Sequence, residues 1–439
     1  MIRAITRASV NLVERFLPDA FVLVLILTLV VFGAGMIVEG QSPFAMAQYW
    51  GDGFWKLLSF AMQMVLILVT GFVVASTPLF QRLLRGLASK VNGPGQAILL
   101  ITVVSLVASW FNWGFGLVIG ALLGRQLGRT VKGLDYRLAI ASAYCGFMVW
   151  HGGLSGSIPL VIATEGHFTQ DMIGVVPASQ TIFSTMNIVI VVALFIAIPL
   201  TTRLIMPPSD EAVTVDPALL VDPPEPKPTA HAGTAGNLEN SRFLSMASGV
   251  LGLLYVGIYF IWNRQGLNLD IVNFTLLFLG ILLHGTPLAF LAAVKRAVDG
   301  ASGIIIQFPF YAGIMGMMVG SGLAATISEG FVAISSPESF PLFTFLSAGI
   351  VNIFVPSGGG QWAVQAPIML QAGATLGVDP ARTAMAVAWG DTWTNLIQPF
   401  WALPALAIAG LSAKDIMGFC LIVLVVTGVI IGAGLVFVP

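Results

Sequence analysis

Long apolar runs separated by short polar stretches organise this chain. Met1–Phe16 is a basic, amphipathic lead-in (Arg3, Arg7, Arg15), and Ala20–Ile37 is the first run long enough to cross a bilayer. The aromatic cluster Tyr49–Trp55 precedes a second span, Leu57–Ala75, and the cationic stretch Leu79–Lys90 reads as a surface helix. Ala97–Leu127 is apolar but interrupted at Asn112, Gly114 and Gly116, which predicts two helical arms folded back on each other. A span from Leu138 is broken at Trp150–Pro159 (WHGGLSGSIP), and Ile182–Leu200 closes the first half. The second half brings spans at Phe243–Trp262, Ile271–His284 and Ala301–Ala324, then an interrupted stretch around 341–376. A span from Ala384, broken at Trp389–Pro399 (WGDTWTNLIQP), and a last one at Ile416–Phe437 follow. Between the halves, 207–240 is rich in Pro, Ala, Thr and acids and reads as a solvated linker.

The stretch NIFVPSGGGQWAVQAP (352–367) concentrates the polar backbone of the second half. Pro356 ends a helix, and three glycines disfavour starting another at once, so two arms too short to span the bilayer are expected around an open tip. An exposed N–H or C=O in lipid costs several kcal/mol, so such a tip must line a protein cavity or a watery site. Its bare N–H groups, the Ser357 hydroxyl and the amides of Asn352 and Gln361 can hold a carboxylate without a fixed cation. A solvated loop between two ordinary helices would not sit in a stretch free of charge from Pro341 to Leu376.

Composition and charge agree with a membrane protein. Of 439 residues 57% are hydrophobic and 9% charged, with mean hydropathy +0.93, where a soluble domain carries about 25% charged residues. No basic block offers itself to nucleic acid, and two cysteines in apolar runs exclude a disulfide or metal framework. Arg82–Lys90, Arg125–Arg137, Arg203, Lys295–Arg296 and Lys414 fall on one side, which places the N-terminus in the cytoplasm; Arg264 and Arg382 lie opposite. Five crossings between the two interrupted stretches would make them enter from opposite faces.

The two halves also share an order of features. Asn352 follows Asn112 by 240 positions (352 − 112), and the same offset links Gly120 to Gly360, His151 to Asp391 and Pro159 to Pro399. Paired discontinuous segments in inverted repeats are the signature of secondary transporters, with the site where the breaks meet. The expected fold is therefore an all-α polytopic membrane protein of two inverted repeats, 1–206 and 241–439. Each carries a re-entrant hairpin (about 97–127 and 341–376) and a broken helix.

Asp391 is the one acid at a span centre, which marks it as functional. Ionised about 5 Å from a substrate carboxylate it would repel by ~3 kcal/mol at an effective dielectric of 20. An anionic substrate would thus want Asp391 protonated or covered by a cation, which couples transport to H+ or Na+. The other reading makes Asp391 a cap on a half-helix starting near Thr392. His151 is either a proton relay or a packed, hydrogen-bonded side chain. Ser155, Thr394 and Asn395 offer neutral oxygens beside the breaks, with Na+ a candidate near Asn112 and Asn395. Substrate contacts are expected from Asn112, Trp113 and Gly114 at one tip, and from Ser357, Gly358, Gly359, Gly360, Gln361 and Trp362 at the other. Tryptophans around the breaks suit a short alkyl tail, and no mid-span Arg or Lys is present to clamp a second carboxylate. An exchanger or symporter of dicarboxylates or other organic anions is the rival on the same architecture. An intramembrane hydrolase built on His151, Asp391 and Ser155 or Ser157 lacks a nucleophile elbow or zinc motif.

The strings WGDGFW (50–55), NWGFGLVIGA (112–121), VPSGGGQW (355–362), IQPFWALPALAIAG (397–410) and KDIMG (414–418) resemble the bacterial short-chain fatty acid transporter family, over nearly the whole chain. The resemblance implies uptake of acetoacetate- and butyrate-like acids across the bacterial inner membrane. It also implies membership of the ion-transporter superfamily, with two hairpins and an elevator-type motion, and by analogy a homodimer. By position it points to Asn112–Gly116 and Ser357–Gln361, with no cofactor and no enzymatic step.

Overall fold

The computed structural model describes residues 20–216, 220, 233–298, 301–355 and 357–439. The basic lead-in, linker residues 217–219 and 221–232, and Pro356 lie outside the described residues. Among the described residues every element is helical. Six helices are long and apolar enough to cross a membrane: Leu58–Ala75, Pro94–Phe111, Thr185–Leu204, Thr234–Trp262, Ser302–Gly320 and Ala413–Phe437.

Polarity is arranged for lipid. Leu29, Ile37, Leu251, Ile261 and Val429 stand exposed on the outside, while Asn352, Gln361, Asp391 and Asn395 are buried within. That distribution leaves apolar surface for acyl chains and keeps hydrogen-bonding groups among partners.

Several boundaries differ from the expected ones. The span expected at Ala301–Ala324 stops at Gly320, and a separate helix, Leu323–Ile334, begins after Gly322. Gly322 has φ +90°, a left-handed turn that glycine alone adopts without strain. The cluster Tyr49–Trp55 mostly belongs to a helix, Pro43–Gly53, started by Ser42, whose Oγ accepts the Ala45 N–H at 3.1 Å. A further helix, Pro287–Val298, carries Lys295 and Arg296 in its last turn. The described start of the linker is docked: the Val213 N–H donates to Asp135 Oδ2 at 2.9 Å, and Tyr136 N–H donates back to the Val213 carbonyl at 2.9 Å.

Two helical hairpins and two interrupted helices surround the centre. The first hairpin is Pro94–Phe111 and Trp113–Thr130, hinged at Asn112; the second is Phe340–Phe354 and Gly358–Leu376, with Ser357 at the tip. The arms are longer than expected. Gly358–Leu376 has 19 residues, and Pro94–Phe111 is itself long enough to span; at 1.5 Å per residue the former reaches about 28 Å. The three glycines do not delay the helix either: they form its first turn, because Ser357 caps it, Oγ accepting the Gly360 N–H at 3.3 Å.

The first interrupted helix runs Tyr136–Cys145, tightens to a 3₁₀ turn at Gly146–Val149, unwinds through Trp150–Gly156 and resumes at Ser157–Ile162. The second was expected to break from Trp389. Instead Pro380–Asn395 is continuous, and only Leu396–Gln398 interrupts it before Pro399–Ala409. Asp391 therefore sits inside a helix and caps nothing.

Candidate binding site between two hairpin tips

At the first tip Asn112 ends one arm and caps the next. Its Oδ1 accepts the Phe115 N–H at 2.8 Å, and its Nδ2 donates to the Ile67 carbonyl at 3.4 Å. Asn112 thus holds the tip shape against Leu58–Ala75. Trp113 N–H donates to Ser155 Oγ at 2.9 Å, and Leu154 N–H donates to the Trp110 carbonyl at 2.7 Å. The first tip is consequently pinned to the unwound turn Trp150–Gly156.

The second tip closes on the same turn from the other side. A Cβ at Gly358 would lie 2.5 Å from His151 Cε1, one at Gly359 2.5 Å from the Phe60 ring, and one at Gly360 2.5 Å from the Tyr311 ring. Real side chains never approach so closely, so glycine is required for this backbone to press against three neighbours. Gly358 and Gly359 occupy the first turn of their helix, whose N–H groups have no intrahelical acceptor. Gln361 turns back into its own hairpin, donating from Nε2 to the Ala348 carbonyl at 2.8 Å and to Gln365 Oε1 at 2.7 Å. Trp362 is fully buried.

Between the tips lies a tight cavity of about 20 Å³, lined by Trp113, Ser157, Gln307, Ser357, Gly358, Gly359 and Trp401 among others. That is room for about one water and less than a four-carbon acid needs. The site as it stands is too narrow for such an acid. Of the residues expected to contact substrate, Trp113, Ser357, Gly358 and Gly359 meet here; Asn112, Gly114, Gly360, Gln361 and Trp362 support the tips from behind. Two indoles of the wall, Trp113 and Trp401, are 5.4 Å apart edge to face, and Trp150, outside the lining, packs 6.0 Å from each.

Behind Gly358 is the His151–Asp391 pair. His151 Nδ1 stands 3.1 Å from Asp391 Oδ2, both side chains fully buried. Nε2 of the same ring accepts the Ile158 N–H at 3.3 Å, so a neutral ring carries its proton on Nδ1, facing the carboxylate. The Trp150 ring stacks on the imidazole at 3.8 Å. No Lys or Arg is paired with Asp391 among the described residues. A buried carboxylate so poorly compensated is costly when ionised.

Neutral groups frame the pair. Asn352 Nδ2 donates to the Asp391 carbonyl at 2.6 Å and to Thr394 Oγ1 at 2.9 Å, and Thr394 Oγ1 donates to the Gly349 carbonyl at 2.9 Å. Asn395 Oδ1 accepts from Trp150 Nε1 at 3.1 Å, tying the two interrupted helices together. Asn112 and Asn395, the amides expected beside Na+, each have their carbonyl oxygen engaged by a donor. By contrast Asn352 Oδ1, Gln361 Oε1 and Asp391 Oδ1 have no hydrogen-bond donor, and Asp391 Oδ2 faces His151 Nδ1 alone among the described residues.

Three contributors were not anticipated. Tyr144 OH donates to the Asn395 carbonyl, Gln398 Nε2 donates to the Asn352 carbonyl, and Asn187 accepts from Trp389 Nε1 while donating to the Gly152 carbonyl. Asn187 could have been found as the one amide in the apolar run after Ser184.

The family model for short chain fatty acid transporters matches residues 1–438. The chain belongs to the short-chain fatty acid transporter family. It is 44% identical to a protein of Escherichia coli (strain K12) over 99% of both chains, and 43% identical to one of Haemophilus influenzae over the whole of both. Both relatives are named, provisionally, as short-chain fatty acid transporters. In fold this short-chain fatty acid transporter is similar to the YdaH transporter of Alcanivorax borkumensis, at TM-score 0.56, 14% identity and coverage of 95% and 98% of the two chains. It is also similar to MtrF of Neisseria gonorrhoeae, from a class of antimetabolite efflux pumps, at TM-score 0.53, 13% identity and coverage of 98% and 97%. Membership makes the protein a membrane transporter and not an enzyme.

Proposed function

We propose that this transporter imports short-chain monocarboxylates such as acetoacetate and butyrate, driven by H+ through the His151–Asp391 pair. The observation that carries the reading is the Asp391 carboxylate, buried against His151 with no Lys or Arg paired to it among the described residues, behind the tip glycine Gly358. Ionised, it would repel a carboxylate about 5 Å away by ~3 kcal/mol at an effective dielectric of 20. Protonated, it lets the anion settle against the N–H groups of Gly358 and Gly359. Anion and proton then favour each other's binding, which is the thermodynamic requirement for symport.

The ring wall of Trp113 and Trp401 takes the alkyl tail, at ~0.8 kcal/mol per buried methylene. Among the described residues no Lys or Arg lines the cavity to hold a second carboxylate, which favours a monocarboxylate. H+ fits better than Na+ because the amides of Asn112 and Asn395 are engaged elsewhere. On this reading 1–206 and 241–439 are inverted repeats joined by a cytoplasmic linker. The protein sits in the bacterial inner membrane as a homodimer, N-terminus in the cytoplasm, and the narrow tip cavity widens by an elevator-type movement of the hairpin bundle.

The test is uptake of labelled butyrate into proteoliposomes holding the full chain. Accumulation under an imposed pH gradient, lost with a protonophore, is expected. No uptake under any H+ or Na+ gradient overturns the proposal.

A further inference from the structure

A second, larger cavity of about 310 Å³ opens near the start of the Leu58–Ala75 helix. Lys56, Gln63, Thr164, Glu165 and Asp270 line it, so it is wet and polar. Its inner wall is Phe60, which is 6% exposed. The far edge of that ring lies against Gly359, where a Cβ would come within 2.5 Å of it. Gly359 is itself a wall of the tip cavity, as are Met64, one helical turn beyond Phe60, and Phe308. The Phe60 ring therefore stands between the wide vestibule and the narrow tip cavity.

The ring is braced on both sides. Phe168 lies 5.7 Å from Phe60 at an interplanar angle of 48°, and Phe308 lies 5.7 Å away at 64°. Phe168 also lines the vestibule, and Phe308 also lines the tip cavity, so the three rings form a continuous apolar plug from one space to the other. Such a plug admits no carboxylate while closed, since the anion would lose its water with nothing in exchange.

We infer that the vestibule is the approach to the tip cavity and that Phe60, braced by Phe168 and Phe308, is the residue that gates and sizes what passes. The inference rests on the transport reading for its meaning, but the passage itself can be measured without transport. Both native thiols, Cys145 and Cys420, are fully buried, so the wild-type chain serves as a background of low reactivity.

The full-length purified chain carrying Ser157→Cys, which places a thiol in the tip cavity, is labelled with a small anionic methanethiosulfonate. Adding Phe60→Ala is expected to speed labelling by about tenfold or more, Phe60→Leu to speed it less, and Phe60→Trp to slow it, since thiol reactivity follows access. Ser59→Cys in the vestibule should label at one rate in all four backgrounds. Phe60→Leu and Phe60→Trp keep the core filled should the alanine variant fail to fold. A Ser157→Cys labelling rate indifferent to all three substitutions overturns the gate, whatever the uptake data say. Rates that follow the size of residue 60, in a protein whose vesicles never take up butyrate, sustain the gate and overturn the transport reading instead.

Discussion

His151 Nδ1 and Asp391 Oδ2 are 3.1 Å apart, although 240 positions separate the two residues along the chain. One belongs to the unwound turn of the first interrupted helix, the other to a continuous helix of the second half. The same sequence offset separates Asn112 from Asn352, yet in the fold Asn112 caps the first tip while Asn352 lies inside a hairpin arm and Ser357 caps the second. The tip glycine Gly358 packs over the imidazole of the pair.

Asp391→Asn keeps the shape of the side chain and removes its proton chemistry. Gradient-driven accumulation of butyrate should fall to the level of empty vesicles, while exchange of labelled for unlabelled butyrate across the same membrane persists. Counterflow and gradient uptake measured on one preparation separate the two. Concentrative uptake in this variant would make Asp391 structural.

Stability should report the pairing directly. His151→Ala leaves the carboxylate without its partner, at a cost of about 1–3 kcal/mol for an unsatisfied buried group. Asp391→Leu in addition should cost much less than the sum of the singles, because the orphaned group is gone. A double-mutant cycle by thermal melting in detergent is expected to give a coupling of about 0.5–3 kcal/mol. Strict additivity would mean that the two groups do not interact.

Much of the helix plan was legible because a long apolar run in this composition has few alternatives. Both hairpin positions and the unwinding at Trp150–Gly156 were readable from glycine, proline and amides interrupting such runs. The stretch Trp389–Asn395 misled, since its Gly, Asp, Thr and Asn resemble a break. In the fold those residues bond sideways: Trp389 Nε1 to Asn187 Oδ1, Thr392 Oγ1 to the Met148 carbonyl at 3.0 Å, Trp393 Nε1 to the Leu424 carbonyl at 2.8 Å. Gly390 is there for contact, a Cβ falling 2.3 Å from the Phe345 carbonyl oxygen of the packed hairpin arm. Nothing local distinguishes a glycine that breaks a helix from one that lets two helices meet. The same holds for amides: Asn112 and Gln361 read as ligands, yet their hydrogen bonds shape the tips.

Contact at the second tip makes glycine obligatory there. Gly358→Ala would bring its methyl to 2.5 Å from His151 Cε1 and 2.9 Å from the Trp150 ring, so tip or imidazole must shift. Overpacking of this kind costs about 1–3 kcal/mol, and uptake should be lost with it. Gly86→Ala, where a Cβ meets nothing within 4 Å, is the matched control. It should transport normally and gain about 0.4–1 kcal/mol in stability. Equal uptake by the two variants would remove Gly358 from the site.

Chain-length preference should reside in the ring wall. Trp401 lies 5.4 Å from Trp113 and 6.0 Å from Trp150, with one face on the tip cavity. Butyrate carries two more methylenes than acetate, so a wall that buries both should favour it by up to ~1.6 kcal/mol, at ~0.8 kcal/mol each. Trp401→Ala removes part of that wall. The ratio of uptake KM for acetate to that for butyrate is expected to fall several-fold, with butyrate affected far more than acetate. Parallel loss for both acids would indicate that Trp401 only holds the fold. An unchanged ratio with unchanged uptake would place the alkyl tail elsewhere.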